Sequence, residues 1–359
     1  MPVVWVIDAY RAGERNQVLA LANALAWPYE IKRLSYRKYE FLTNIFRGSD
    51  LRGIRLADSD VLQAPWPDLV ISSGLRNEAV CRWIKCQSGG HTRIVHVGNP
   101  WADPVRFDLV ITTPQYRIPE RDNVLQNVLT LSAVTDERLR SEAESWRMRV
   151  QGLAGPYTAV IVGGDSGPFT FGKKAALRLA KEVNALVNAS GGSALVTTSS
   201  RTDTDAAKIL QENLQIPHNF FHWAKDAQDN PYFAWLGLAQ QIVVTGDSIS
   251  MLSEACATAK PVYLFDLGQG RHAMRAQTGG RQGDNDWRLG GVMYTLLMKF
   301  IWQKVSRDIC LVHERLIADG RASWLGDFVP LQTQQGEEMQ RAVAAVKELF
   351  DQSAVGAAV

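Results

Sequence analysis

Short apolar runs recur along this chain, and most are followed by a small polar cluster and then an amphipathic stretch. Val3–Ile7 reads as a strand and Gly13–Leu25 as a helix. Asp68–Ser72 and Leu75–Cys86 repeat the pair, and Arg93–Val97, Leu109–Thr112 and Val128–Leu131 read as further strands. A charged helical stretch at Asp136–Val150 follows, and the pattern then restarts. Strands are expected at Tyr157–Val162, Ala194–Thr197, Phe220–Trp223, Ile242–Thr245 and Pro261–Phe265. Helices are expected at Lys173–Asn188, Asp203–Leu214, Pro231–Ala239 and after Ser248. Such alternation implies βαβ units and parallel sheets. Runs without internal alternation, such as Ala159-Val160-Ile161-Val162, suit strands covered on both faces.

The restart predicts an α/β protein of two Rossmann-like domains, 1–150 and 155–330, with the seam in Arg149–Pro156. A last helix, about Gly336–Phe350, lies in the segment 331–359 and puts Met339, Val343, Val346 and Phe350 on one stripe. The tail from Ser353 is expected to be loose. Open parallel sheets bind ligands beyond the carboxyl ends of their strands. The polar clusters fall there: Asp8–Gln17, Ser72-Ser73-Gly74, Gly98-Asn99-Pro100 and Thr112-Thr113-Pro114 in the first half. In the second half they are Gly163-Gly164-Asp165-Ser166-Gly167, Thr198–Thr202 and Gly246-Asp247-Ser248. Several clusters on corresponding edges of two domains suggest a cleft between the domains.

The sharpest of these features is Val243–Ala255, a strand, a polar loop and a helix in succession. Thr245, Gly246, Asp247, Ser248, Ser250 and Met251 gather where a helix N-terminus favours anions. Glu254 follows about two turns into the helix. Phosphates on the loop and ribose hydroxyls on this carboxylate would fit a sugar nucleotide. Gly163, Gly164, Asp165 and Ser166 allow close backbone approach, but neither a dinucleotide fingerprint nor a Walker loop is present. Arg201 beside Ser200 suits a diphosphate, while Thr202 is better read as a helix cap. Asn230 before Pro231 is a helix start that could also touch ligand.

On the opposite domain a general base is needed to deprotonate an acceptor. Glu14 and Asp8 are the candidates, with Glu14 slightly ahead. Arg11, Asn16, Gln17 and Asn99 share that side. His96 is more readily a structural residue. Asp284-Asn285-Asp286 has an Asp-x-Asp form that could hold a metal, yet a solvated turn suits it better, and no metal or cofactor is expected. Gly246-Asp247-Ser248 lacks the context of a hydrolase, because no Gly-x-Ser-x-Gly accompanies it.

Composition narrows the classes. The length of 359 residues exceeds a single core, and 46% hydrophobic residues imply packed domains. A net charge of +2 argues against a dedicated nucleic-acid partner. Four cysteines, Cys81, Cys86, Cys256 and Cys310, fit neither a disulfide framework nor a zinc site and read as buried reduced thiols. No signal peptide or membrane-spanning run is read, so a cytoplasmic protein is expected. Lys32–Arg55 carries seven cations (Lys32, Arg33, Arg37, Lys38, Arg47, Arg52 and Arg55) interleaved with Tyr36, Tyr39, Phe41 and Phe46. That mixture suits peripheral attachment to an anionic membrane face, and equally a helix pair with snorkelling cations.

Val244–Ala255, Thr198–Thr202, Gly163–Ser166 and Asn230–Tyr232 together resemble the mitochondrial-fission ELM family, whose bacterial members are regarded as glycosyltransferases. The resemblance runs from residue 1 to about Leu325. It departs at Ser200, where many relatives carry a second arginine. More distantly the order of motifs is similar to GT-B glycosyltransferases. That similarity implies a nucleotide-sugar site in the C-terminal domain with Glu254 on the ribose. It also implies a lipid or glycan acceptor in the N-terminal domain, a final helix crossing back to that domain, and inverting transfer without metal. A non-catalytic membrane adaptor on the same scaffold is the alternative.

Overall fold

The computed structural model describes residues 1–37, 48–227, 229–268, 286–300, 307–327, 331 and 336–356. Contacts divide the chain into two units. The first holds Met1–Ala133 and the segment from Glu337 onward; the second holds Val134–Trp302 and Ser306–Gly336.

In the first unit, β1 (Val4–Ile7), β2 (Tyr29–Lys32), β3 (Leu69–Ser73), β4 (Arg93–Val97), β5 (Leu109–Thr112) and β6 (Val124–Gln126) form one sheet in the order β2-β1-β3-β4-β5-β6. Every pairing is parallel. The strands that were read as unbroken apolar runs are the ones buried on both faces. Val4, Val6, Leu69 and Ile71 pack on α1 (Ala12–Leu25), while Trp5, Val70 and Ile94 pack towards α2 (Leu75–Gln87). The edge strand β2 escapes a pattern reading because it is short and half polar, Tyr29-Glu30-Ile31-Lys32. Val128–Leu131, expected as a strand, is loop. The sheet is instead continued by Val124–Gln126, and the run is apolar because Leu129 and Leu131 are buried beneath it.

In the second unit, β7 (Tyr157–Ile161), β8 (Ser193–Thr197), β9 (His218–Phe221), β10 (Gln241–Thr245), β11 (Val262–Phe265) and β12 (Ser323–Trp324) form a parallel sheet in the order β12-β11-β10-β7-β8-β9. Helices α3 (Asp136–Arg147), α4 (Lys173–Ser190), α5 (Thr204–Glu212), α6 (Tyr232–Leu238), α7 (Ile249–Cys256), α8 (Leu289–Phe300) and α9 (Cys310–Ala318) complete it. Helix α3 falls on the far side of the expected seam. It packs on α6 so closely that a Cβ on Gly237 would strike the Leu139 carbonyl, and Trp146 meets Trp235 edge to face at 5.3 Å.

The chain then returns to the first unit with α10 (Glu338–Gly356), longer than the expected helix and extending into the supposedly loose tail. Its buried Ala342 and Val346 join Val18, Leu21 and Leu25 of α1. Trp27 and Phe350 stack edge to face at 5.3 Å, and Asn127 Nδ2 donates to the Glu338 carbonyl at 3.1 Å. Both sheets are therefore doubly wound, and each reverses its strand order once: between β1 and β3, and between β7 and β10. These switch points are where ligands of open α/β sheets bind.

Candidate functional site

Three loops of the second unit converge at its switch point, after β7, β8 and β10, and Asp247 joins them. Asp247 is 1% exposed. Its Oδ2 accepts the Gly164 amide at 3.0 Å and lies 2.9 Å from Arg201 Nη1; its Oδ1 accepts the Thr245 hydroxyl at 2.7 Å. Thr245 Oγ1 in turn accepts the Gly163 amide at 2.7 Å. A Cβ on Gly163 would run into the Asp247 carboxylate, and one on Gly164 into the Arg201 carbonyl. The two glycines thus permit this approach. Burial pushes the Asp247 carboxyl above its usual range, and Arg201, Thr245 and the Gly164 amide pull it back.

The amides of Gly163–Ser166 are all satisfied internally, and one expectation nearby is corrected. Gly163 and Gly164 donate to Thr245 and Asp247, Asp165 to the Arg201 carbonyl, and Ser166 to the Phe169 carbonyl. Thr202 does not cap α5. Asp203 does, accepting the Ala206 amide at 3.0 Å, while the Thr202 hydroxyl closes on the Gly163 carbonyl.

At α7 the first helical amide bond is from Leu252 to Ser248, which leaves the preceding amides at the helix start outside the helical ladder. Ser248, Ser250 and Met251 are half-buried there, Ser248 in an extended conformation at the N-cap, and Gly246 is buried with its amide on the Phe265 carbonyl. Ser200 is exposed at the β8 turn beside Arg201. Glu254 and Asn230 belong to a neighbouring cluster. The Tyr232 hydroxyl makes a short hydrogen bond to Glu254 Oε2, and Asn230 Oδ1 accepts the Tyr232 amide at 3.0 Å. Arg138 stacks 3.6 Å above the Phe233 ring and adds positive potential at Glu254. Burial raises the Glu254 carboxyl above its ordinary range, against the pull of Tyr232 and Arg138, and raises the Tyr232 hydroxyl well above its own. The Tyr232–Glu254 and Thr202–Gly163 contacts and the part played by Arg138 escaped a pattern reading, since nothing local marks a side chain that reaches another loop.

Asp286 was grouped with a metal-like turn; Asp284 and Asn285 lie outside the described residues. Asp286 accepts the amides of Lys174 at 3.3 Å and Ala175 at 2.9 Å, and so anchors the start of α4. Among the described residues no group of His, Cys, Asp and Glu could hold a metal.

The first unit brings its candidates together less tightly. Asp8 Oδ1 lies 3.0 Å from Arg15 Nε, and Glu14 Oε1 lies 3.5 Å from the exposed Arg11. Glu14 Oε2 packs against Gly74 at the start of α2, where a Cβ would lie 2.9 Å away. Gln17 donates to the Gly13 carbonyl at 3.1 Å and lines a pocket with Gly98, Thr112, Thr113, Tyr116 and Thr130. Asn16 is exposed and Asn99 half-buried. Glu78 of α2 fixes the chain after Asn99, its carboxylate accepting the amides of Trp101 at 2.8 Å and Ala102 at 3.0 Å. Burial pushes Glu78 up to about 7 in spite of those bonds. His96 is fully buried, pushed down to about 4 by burial, and therefore neutral and structural.

The basic-aromatic segment is also redrawn. Lys32 is buried, paired with Glu30 at 2.7 Å and set 4.4 Å above the Trp5 ring, so it does not face a membrane. Tyr36 bridges Ile54 as a strand does and donates to Asn77 at 2.5 Å. Arg33, Arg37, Arg52 and Arg55 are exposed; Lys38, Tyr39, Phe41, Phe46 and Arg47 lie outside the described residues. No helix of the described residues is long and apolar enough to cross a membrane. Cys86, expected buried, is exposed; all four thiols are free.

The fold and these loops define a protein of two doubly wound α/β units with polar residues gathered at both switch points. Residues 12–279 match the family model described as Mitochondrial fission ELM1, and the chain belongs to that family. The Mitochondrial fission protein ELM1 of Arabidopsis thaliana is 26% identical over 240 residues, which cover 60% of this chain and 55% of that protein. The chain thus spans little more than half the length of the plant relative. An uncharacterised protein of Rickettsia prowazekii (strain Madrid E) is 24% identical over 299 residues, 73% of this chain and 82% of that one. Among solved structures, a glycosyltransferase from Rickettsia africae ESF-5 is similar with a TM-score of 0.49 and 10% identity, over 97% of this chain and 98% of that one.

Proposed function

We propose that the protein is a glycosyltransferase that moves a sugar from a nucleotide-sugar donor to a lipid or glycan acceptor of the cell envelope, inverting the anomeric centre without a metal. The observation that carries this reading is the meeting of Arg201 and the start of α7 at the switch point of the second sheet, with the half-buried Glu254 further along the same helix. A guanidinium and a helix N-terminus suit a diphosphate, and a carboxylate suits ribose hydroxyls. Backbone and guanidinium donors would stabilise the departing diphosphate. The acceptor residues are assigned to the first unit, with Glu14 as general base ahead of Asp8. Asp8 is held by Arg15 at 3.0 Å, whereas the Arg11 contact of Glu14 is longer and more exposed. Its setting would be the cytoplasm, with peripheral attachment through Arg33, Arg37, Arg52 and Arg55.

Thermal-shift titration with a panel of nucleoside diphosphates and nucleotide sugars tests the donor site, since binding to the folded state raises the melting temperature. Glu14→Ala should then lower turnover by about 100- to 10,000-fold with donor binding unchanged. Full activity in that variant would transfer the role to Asp8. The family description favours a second reading, a non-catalytic adaptor in membrane division. Liposome binding without stabilisation by any nucleotide would support it. Products formed in the absence of acceptor would instead point to epimerase or hydrolase action on the same donor.

A further inference from the structure

Three guanidinium groups reach the loop after β7, and only two carboxylates answer them. Arg201 is paired with Asp247 at 2.9 Å. Arg288 Nε lies 3.3 Å from Asp165 Oδ2, while its Nη2 donates to the Gly167 carbonyl at 2.8 Å and the Phe169 carbonyl at 3.4 Å. Arg288 is thereby committed to holding the loop in shape. Arg307, just ahead of α9, is different. Its Nη2 donates to the neutral Ser166 Oγ at 3.2 Å, its residue is half-buried, and no carboxylate among the described residues pairs with it. A partly desolvated cation without a counter-charge costs free energy that a bound anion would recover. Arg201 also touches the Asp165 carbonyl, at 3.4 Å, so two guanidiniums rest on consecutive residues. Since the Ser166 hydroxyl accepts from Arg307, its own proton is available to a ligand oxygen.

We propose that Arg307 and Ser166 bind the diphosphate of the donor nucleotide beside Arg201, and that Arg288 acts as a positioning residue by fixing Gly167 and Phe169. The β8 loop supplies a single guanidinium, because Ser200 stands next to Arg201; Arg307 supplies the second from a remote part of the chain. This inference rests on the nucleotide-sugar reading of the site.

Isothermal titration of the full chain with UDP, ADP, GDP and CDP, each against its own nucleoside, separates the phosphate contribution from the rest. For the tightest diphosphate, Arg307→Ala should weaken binding by about 10-fold, roughly 1.4 kcal/mol, and Ser166→Ala by about 3-fold. Arg307→Lys should recover part of the loss. Nucleoside binding should stay at its wild-type value, and the dependence of affinity on salt should become shallower. Equal affinity for the diphosphate in wild type and Arg307→Ala, or an equal loss for diphosphate and nucleoside, would overturn the inference and leave the donor reading intact. Wild-type protein that binds none of the four diphosphates would overturn both.

Discussion

Each sheet has one switch point, between its second and third strands in the first unit and its third and fourth in the second, and the loops there are held in different ways. In the second unit a buried carboxylate, Asp247, ties together segments that are 83 residues apart in sequence, reaching the Gly164 amide through hydrogen bonds that water does not share. In the first unit Asp8 and Glu14 meet Arg15 and Arg11 in contacts open to solvent, all within one loop and helix start. The second arrangement is rigid and strongly specified. The first is open to water.

The largest difference between them should appear on truncating the acids. Asp247→Ala leaves the Arg201 guanidinium, the Thr245 hydroxyl and the Gly164 amide without their acceptor, and should cost about 3–5 kcal/mol in urea unfolding. Asp8→Ala removes a solvated pair and should cost below about 1 kcal/mol in the same experiment. Similar losses at the two positions would break the contrast. Among the described residues of the first unit one acid, Glu78, is deeply buried, and pH exposes it. Glu78 titrates near 7 in the folded chain against an ordinary 4.5. Between those values the native state keeps a proton that the unfolded chain has lost, so stability falls as pH rises through that window and levels off above it. The loss is on the order of 2–3 kcal/mol, and Glu78→Gln should remove it, which unfolding of both proteins from pH 4 to 8 would read. An unchanged pH dependence in the variant would place the titrating group elsewhere. A smaller effect than at Asp247 or Glu78 is expected at Tyr232. Tyr232→Phe takes the hydroxyl from the half-buried Glu254 and should cost about 1–2 kcal/mol by denaturant midpoint. It should also raise the affinity for ribonucleosides if Glu254 receives ribose, because Oε2 is released. No change in affinity would separate Glu254 from the donor site.

Much of the architecture is legible in the sequence because a strand covered on both faces must be apolar throughout, and Ala159–Val162, Ile242–Thr245 and Leu109–Thr112 declare themselves in that way. Edge strands obey no such demand, which hides Tyr29–Lys32 and displaces the last strand of the first sheet. Position in the second site is equally readable, since Thr245-Gly246-Asp247 follows a buried strand and precedes a helix. Its role is not. A Gly-Gly turn that accommodates a ligand and one that accommodates a neighbouring carboxylate have the same sequence, and only the inward direction of Asp247 distinguishes them. The same limit hides Arg307, whose partner Ser166 lies 141 residues earlier.

The return of the chain to its first unit sets a timetable for synthesis. All the strands of the first sheet have left the ribosome well before the second unit is made. The apolar wall formed by Val18, Leu21 and Leu25 still lacks Ala342 and Val346 at that stage. The second unit, by contrast, is complete once Gly336 has been added. Domains fold as units as they emerge, so the half made later can reach its final form first. The half made earlier must wait with a hydrophobic face uncovered, and it is the half in which a stalled or shortened chain would attract chaperones.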